Sequence, residues 1–98
     1  MEIEYPAIFH KEEPGYFVEF PDIGCFTEGD TLEEAKLMAG DDLNLCLGEY
    51  KEHPKPSTIE EVKNSKYFKI GEEDLVLMVK PKLYINDYVR SLNEKNKK

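Results

Sequence analysis

The chain has 98 residues, of which 40% are apolar and 35% charged, and its formal net charge is −8. This length predicts one domain, and the composition is typical of a folded globular protein, which excludes a disordered chain. No apolar run approaches the roughly 18 residues that a membrane helix needs, and the N-terminal MEIEYP lacks a signal-peptide pattern, so we expect a cytoplasmic protein.

The charge is unevenly distributed along the chain. Residues 1–89 carry 20 acidic and 9 basic side chains, whereas residues 90–98 carry four basic and one acidic. An acidic body repels phosphates, so direct nucleic-acid binding by the folded part is disfavoured, and a basic protein partner suits it. The alternative interpretation is that the acidity only keeps the protein soluble.

The N-terminal part predicts an antiparallel meander of three strands. The first strand has apolar side chains at alternate positions, with Ile8 as an exception: Ile3, Tyr5, Ala7 and Phe9. Because Pro6 donates no ladder hydrogen bond, this strand should lie at an edge or pair there through its other groups. Turn sequences at 12–15 and 21–24 separate it from two further strands, at 16–20 and 25–28.

An amphipathic helix follows the third strand. Thr31 and Glu34 have capping-box spacing, and Asp30 and Glu33 repeat that spacing one residue earlier. The sequence therefore leaves the N-cap residue open. The apolar positions recur at intervals of three and four: Leu32, Ala35, Ala39, Leu43, Cys46, Leu47 and Tyr50. This stripe predicts packing onto the sheet, and Gly40 within it indicates a close approach to a strand.

The remaining sequence predicts a short helix, a strand and a terminal helix. Residues 57–62 repeat the capping pattern, and residues 67–70 are a short extended segment. Residues 75–79 are apolar on both faces, which predicts a strand covered by a helix on one face and a dimer partner on the other. The predicted dimer interface is Leu75, Leu77 and Val79. Helical spacing recurs in the last segment at Tyr84, Ile85, Tyr88, Val89 and Leu92.

The predicted fold class is therefore α+β, with the order βββα(α)β. The domain covers 1–80, and a terminal helix with a basic tail occupies 81–98.

No arrangement of residues predicts catalysis. His10 and His53 are interpreted as surface or capping residues, and Cys25 and Cys46 as reduced, packed thiols whose spacing matches no zinc motif. Four helix carboxylates lie largely off the apolar stripe and are interpreted as a solvated face: Glu33, Glu34, Asp41 and Asp42. The sequence therefore predicts no enzyme, no cofactor and no metal site.

One continuous stretch resembles the HicB antitoxin domain. It comprises YPAIF at 5–9 and GYFVEFPDIGCFTEGDTLEEA at 15–35, with a PDIxGC-like turn that is one residue tighter here. The resemblance covers residues 1–50 overall, and it is specific because turn, strand, cap and helix follow one another at fixed distances. It implies a partial RNase H-like fold with a β-meander, one main helix and a further strand.

The resemblance also implies a function. Such antitoxins bind a small basic HicA-type toxin, which resembles double-stranded-RNA-binding domains and cleaves mRNA with a histidine. Family members usually continue past the last strand into a ribbon-helix-helix or helix-turn-helix segment that binds operator DNA. Because only residues 81–98 remain here, DNA binding is not expected of this chain.

Three hypotheses follow from the sequence. The first is an antitoxin that dimerises and masks a HicA-type toxin, the second a residual metal-dependent RNase H-like nuclease, and the third a solitary dimerisation module. The predicted partner-binding residues lie on the meander turns and the third strand: Glu12, Glu13, Asp22, Phe26, Glu28 and Asp30. For two of them there is a structural alternative, in which Asp22 satisfies donors in its own turn and Asp30 caps the helix.

Overall fold

The computed structural model describes residues 3–82 and confirms the α+β class and the predicted order of elements. Within that range the elements are β1 (Tyr5–Lys11), β2 (Tyr16–Phe20), β3 (Cys25–Gly29), α1 (Leu32–Leu47), α2 (Ile59–Lys63) and β4 (Leu75–Val79). The extended segment predicted at 67–70 is not a strand. The predicted terminal helix and all of the basic tail after Lys82 lie outside the described residues.

The four strands form one antiparallel sheet with the order β3-β2-β1-β4. β1 therefore lies inside the sheet, and the expectation that Pro6 marks an edge strand is wrong. The other expectation, that the strand pairs at Pro6 through its other groups, is confirmed, because Pro6 lies opposite Met78 within the β1–β4 ladder. The register to β2 begins only at Ile8, which lies opposite Glu19. A partner strand about 70 residues later in the chain leaves no local signal in the sequence around Pro6.

Helix α1 packs on one face of the sheet and forms the main core. The buried residues of this core alternate along the strands and recur along the helix: Tyr5, Ala7, Phe9, Val18, Phe20, Ile23, Ala35, Ala39, Leu43 and Leu47. The predicted stripe is thus confirmed as far as Leu47, whereas Tyr50 lies beyond the end of α1 and is 38% exposed. Lys82 N donates to the Gly40 carbonyl over 3.0 Å, and a Cβ on Gly40 would lie 3.3 Å from Lys80 O. The close approach at Gly40 is made by the segment directly after β4.

The N-cap of α1 is Thr31, whose hydroxyl accepts from Glu34 N over 3.0 Å. Glu34 in turn accepts from the backbone N of Asp30 over 2.7 Å. The interpretation of Asp30 as the cap is therefore wrong, because β3 extends to Gly29 and the extended conformation that a cap requires falls on Thr31. At α2 the predicted capping box is complete, between Thr58 and Glu61.

Helix α2 and the loop after it cover part of the second face of the sheet. Ile8, Val62 and Val76 are buried there, and three partly buried residues pack against them: Ile59, Phe68 and Ile70. This second core explains why Ile8 breaks the alternation of β1. It also means that the second face of β4 is covered at Val76 from within the chain. None of the helices in the described part of the chain is long and apolar enough to cross a membrane.

Candidate interaction surface

The part of the second sheet face that α2 leaves uncovered carries alternating aromatic and acidic side chains. Glu19 lies opposite Phe26, and Phe17 lies opposite Glu28, with His10 beside Phe17 on β1. Because side chains alternate between faces along a strand, all five belong to the same face. We call these five residues the open face.

The aromatic rings of the open face form a row that is accessible from outside. The Phe26 side chain is 65% exposed, and its ring centroid lies 5.7 Å from that of Phe17. The Phe17 centroid lies 6.1 Å from the His10 ring, which stacks on it. An exposed aromatic ring that packs on a partly buried one and is rimmed by charged groups is typical of a surface that binds another protein.

His10 lies between two carboxylates. Its Nε2 is 2.5 Å from Glu19 Oε2, and its Nδ1 is 3.0 Å from Asp74 Oδ2. Burial alone would lower the pKa of His10, but the hydrogen bonds and charges of Glu19 and Asp74 raise it above its ordinary value. Both ring nitrogens are therefore engaged. The residue is half-buried and structural, which differs from the simple surface position predicted for it.

Asp74 connects this histidine to the loop before β4. Its Oδ1 accepts from Lys11 N over 2.8 Å, and its Oδ2 accepts from Gly71 N over 2.7 Å. Burial favours the protonated acid, but these backbone donors and His10 lower the pKa of Asp74 below its usual value. Sequence reasoning missed this pair, because its members lie 64 positions apart in the chain.

Four of the six predicted partner-binding residues come together at one end of the sheet. The turn between β1 and β2 lies against the end of β3, where Gly15 contacts the backbone of Gly29 and Asp30. This contact places four exposed carboxylates at that end: Glu12, Glu13, Glu28 and Asp30. We call them the acidic corner. The basic side chain of Lys11 lies beside them. Its Nζ is 3.8 Å from Glu13 Oε1 and 5.1 Å from the Tyr16 ring centroid.

The two other predicted residues lie elsewhere. Phe26 belongs to the open face, two residues before Glu28 on the same side of β3. Asp22 lies in the β2–β3 turn at the opposite end of the sheet. Its carboxylate accepts from Ser57 N and from Ser57 Oγ, each over 2.7 Å. The interpretation that Asp22 satisfies donors in its own turn is therefore wrong, since it holds the connector before α2 instead.

The cysteines are free and partly buried, in agreement with the predicted reduced state. Burial raises the pKa of Cys25 and of Cys46, which keeps both thiols protonated and makes them poor nucleophiles. The solvated-face interpretation of the α1 carboxylates holds for Glu33 and Glu34, which are exposed. It is wrong for Asp41 and Asp42, each of which has one buried oxygen.

Comparisons with known proteins identify the family of the chain. Residues 5–90 match the family described as the HicB_like antitoxin of the bacterial toxin-antitoxin system. A 14.9 kDa uncharacterized protein of the rep-hol intergenic region in Haemophilus phage HP1 is 39% identical over 70 residues, covering 66% of this chain and 53% of that protein. Antitoxin HicB 2 of Photorhabdus laumondii is 44% identical over 61 residues, covering 57% of this chain and 44% of that protein.

The chain thus belongs to the HicB-like antitoxin family. The family match spans most of the chain, and it includes every element of the described fold. The aligned regions account for about half the length of these two relatives.

Proposed function

We propose that this protein is the antitoxin of a type II toxin–antitoxin pair. In this proposal it binds a small, basic HicA-type toxin that cleaves mRNA, and it covers the RNA-binding surface of that toxin. The observation that carries the proposal is the open face together with the acidic corner, in a chain of the HicB-like family. Exposed rings supply apolar contact, and the carboxylates match a surface that evolved to bind phosphates.

A basic partner is favoured by the charge of the chain. Residues 1–89 carry 20 acidic against 9 basic side chains, and this net negative charge favours approach of a positively charged partner. The acidic corner adds to this attraction locally. Its four carboxylates are exposed and lie near the ion pair of Lys11 with Glu13. We therefore expect the toxin to be steered to this end and then held by the aromatic rings.

The alternative of a residual RNase H-like nuclease has weaker support. Such a site needs several carboxylates that converge on divalent metal ions. Among residues 3–82, the group of potential ligand residues that converges is Cys25, Asp42 and Cys46, which is not a carboxylate set. Glu19 and Asp74 approach one another only across the His10 ring, which occupies the space between them. Family membership also favours a protein that acts by binding.

The aromatic part of the proposal is tested with Phe26→Ala and a matched control, Leu45→Ala. Both side chains are large and exposed, at 65% and 68%, but Leu45 lies on the outer surface of α1. The probe is the product of the small basic reading frame directly upstream, carrying an inactivating change at its histidine. Calorimetric titration should show affinity at least about tenfold lower for Phe26→Ala and unchanged for Leu45→Ala.

The opposite pattern would place the interface on α1 and overturn the assignment to the open face. Absence of binding by the unmodified protein, or absence of any such reading frame, would favour the solitary module instead. In cells, the unmodified protein should restore growth when the active toxin is expressed, and Phe26→Ala should do so less well.

The electrostatic part is tested by charge reversal. Glu12→Lys with Glu28→Lys changes the acidic corner, whereas Glu49→Lys with Glu52→Lys changes two exposed residues after α1 by the same charge. At low salt the first pair should slow association about tenfold or more, and the difference should shrink as salt is added. Equal effects of the two pairs would mean that only net charge matters.

A further inference from the structure

A cluster of three potential metal ligands lies on the α1 side of the sheet, away from the open face. Cys25 begins β3, Cys46 lies in the last turn of α1, and Asp42 lies one turn before Cys46. The two sulfur atoms and a carboxylate oxygen of Asp42 all lie within 4.8 Å of one another. Cys46 Sγ is 3.9 Å from Asp42 Oδ1.

This spacing is close to that of a tetrahedral metal site. With metal–sulfur bonds of about 2.3 Å, neighbouring ligand atoms in a zinc tetrahedron are roughly 3.5–3.8 Å apart. The three donors would have to approach one another by no more than about 1 Å. Small rotations of the cysteine and aspartate side chains about χ1 would supply such a movement.

The hydrogen bonding of Asp42 independently points to a cation. Its Oδ2 is buried and has no hydrogen-bond partner among the described residues. A buried carboxylate oxygen without a donor is costly, because it has lost its water and gained nothing in exchange. A metal ion that binds the carboxylate through Oδ2, or through both of its oxygens, would remove that cost.

We propose that Cys25, Asp42 and Cys46 bind a thiophilic divalent cation of the zinc type, with water as the fourth ligand. Two sulfur ligands disfavour magnesium and calcium, which prefer oxygen, and suit zinc, cobalt or cadmium. All three residues are only partly buried, so water can reach the remaining position. The ion displaces the thiol protons on binding and joins the start of β3 to the end of α1.

The site escaped sequence reasoning because its spacing is unlike that of zinc motifs. Those motifs place two ligands within a few residues on one turn, whereas 20 residues separate the two cysteines here. Only the packing of α1 across β3 brings them together. The site goes beyond the proposed toxin binding and depends on none of the residues of the open face.

The test is a titration of the reduced, chelator-treated full chain with Co²⁺, followed by Zn²⁺. We expect saturation at one ion per chain, a thiolate-to-cobalt charge-transfer band, and displacement of cobalt by zinc. Zinc should also raise the melting temperature. Cys25→Ser and Cys46→Ser should each lose the charge-transfer intensity of one thiolate and lower the affinity at least about tenfold.

The decisive comparison is Asp42→Asn against Asp41→Asn. Asp41 also has a buried oxygen without a hydrogen-bond partner, but it lies 4.0 Å from Lys82 Nζ and outside the cysteine cluster. Asp42→Asn should lower cobalt affinity about tenfold or more, and Asp41→Asn should leave it unchanged. Both changes conserve size, so the comparison remains valid if a cysteine variant fails to fold.

Equal affinities of the two asparagine variants would overturn the role of Asp42, and absence of the charge-transfer band would overturn the site. A Cys25–Cys46 disulfide without bound metal, found by mass spectrometry in protein from zinc-supplemented cells, would also overturn it. Magnesium serves as the negative control and should change neither the spectrum nor the melting temperature.

Discussion

Gly15 and Gly29 lie in direct backbone contact, so that a Cβ on Gly15 would lie 2.1 Å from the carbonyl oxygen of Gly29. The same atom would lie 2.8 Å from the Cα of Asp30. This contact brings the β1–β2 turn against the end of β3. It is the reason that carboxylates from two separate parts of the chain share the acidic corner.

Gly15→Ala should therefore destabilise the protein strongly. Gly15 has φ +88°, which an L-residue adopts at a cost of about 1–3 kcal/mol, and the added methyl group also meets rigid backbone. We expect a loss of about 3 kcal/mol or more in the free energy of unfolding, measured with urea.

Gly24→Ala is the matched control. Its φ of +84° is similar, but a Cβ there meets nothing within 4 Å. This variant should lose only about 1 kcal/mol, from backbone strain alone. Equal losses at the two positions would show that the contact with Gly29 contributes nothing.

Asp22→Ala should loosen the connector before α2. The carboxylate accepts two hydrogen bonds from Ser57, and bonds to charged groups contribute about 1.5–3 kcal/mol when buried. Because this site is only partly buried, we expect a loss of about 1–2 kcal/mol in urea unfolding. Ser57→Ala removes only the hydroxyl bond and should lose about half as much.

The control for this comparison is Asp30→Ala, which also removes a turn carboxylate. Asp30 is exposed, and it donates a hydrogen bond to Glu34 from its backbone N, not from its side chain. Its stability should change by less than about 0.5 kcal/mol. A loss at Asp30 as large as that at Asp22 would contradict the assignment of Asp22 as the tether.

The stability that His10 contributes should depend on pH. The pKa of His10 is raised in the folded state, so its contribution is complete below the ordinary value of 6.5 and is lost as pH rises through the folded value. The pKa of Asp74 is lowered, so its contribution is present above 3.8 and is lost as pH falls through the folded value. The pair therefore stabilises most in the mildly acidic range between these limits.

Thermal unfolding of His10→Gln should show this dependence. The melting temperature should fall further below that of the unmodified protein at about pH 5.5 than at about pH 9. His53→Gln, at an exposed histidine in the connector, should show no such difference between the two pH values. A deficit for His10→Gln that is independent of pH would contradict a role for the charged imidazole.

Dimerisation through β4 is a further prediction. Leu75, Leu77 and Val79 are partly buried against the main core, and β4 is an edge strand of the described sheet. Sedimentation at tens of micromolar should show a dimer. Val79→Lys should shift it to monomer, whereas Met78→Lys, on the opposite side of the same strand, should have less effect. A monomer at these concentrations would remove the prediction.

The local features of the fold were predictable because neighbouring residues determine them. Thr58 and Glu61 form the capping box that their spacing indicates, and Gly15 has the positive φ that its turn requires. The stripe from Ala35 to Leu47 lies on the sheet because a period of three to four residues specifies one helix face. The acidic charge and the family resemblance were likewise available from the sequence.

Two of the expectations that were wrong, those for Pro6 and Asp22, concerned partners distant in the chain. Pro6 is inside the sheet because β4 adds to β1, and Asp22 binds Ser57, which is 35 residues away. The local sequence did not distinguish an edge position from an inner position for the strand of Pro6, nor a local from a distant donor for Asp22. A strand edge or a carboxylate accepts a hydrogen bond from any donor that reaches it.

By itself, the sequence determined the order of the elements, the capping box of α2 and the family to which the chain belongs. Only the tertiary structure decided which side chains meet: His10 with Asp74, and Cys25 with Asp42 and Cys46. The physical reason is that periodicity and capping act over a few residues. Helix and loop packing join these residues, which lie 17 to 64 positions apart, and the local sequence carries no code for such contacts.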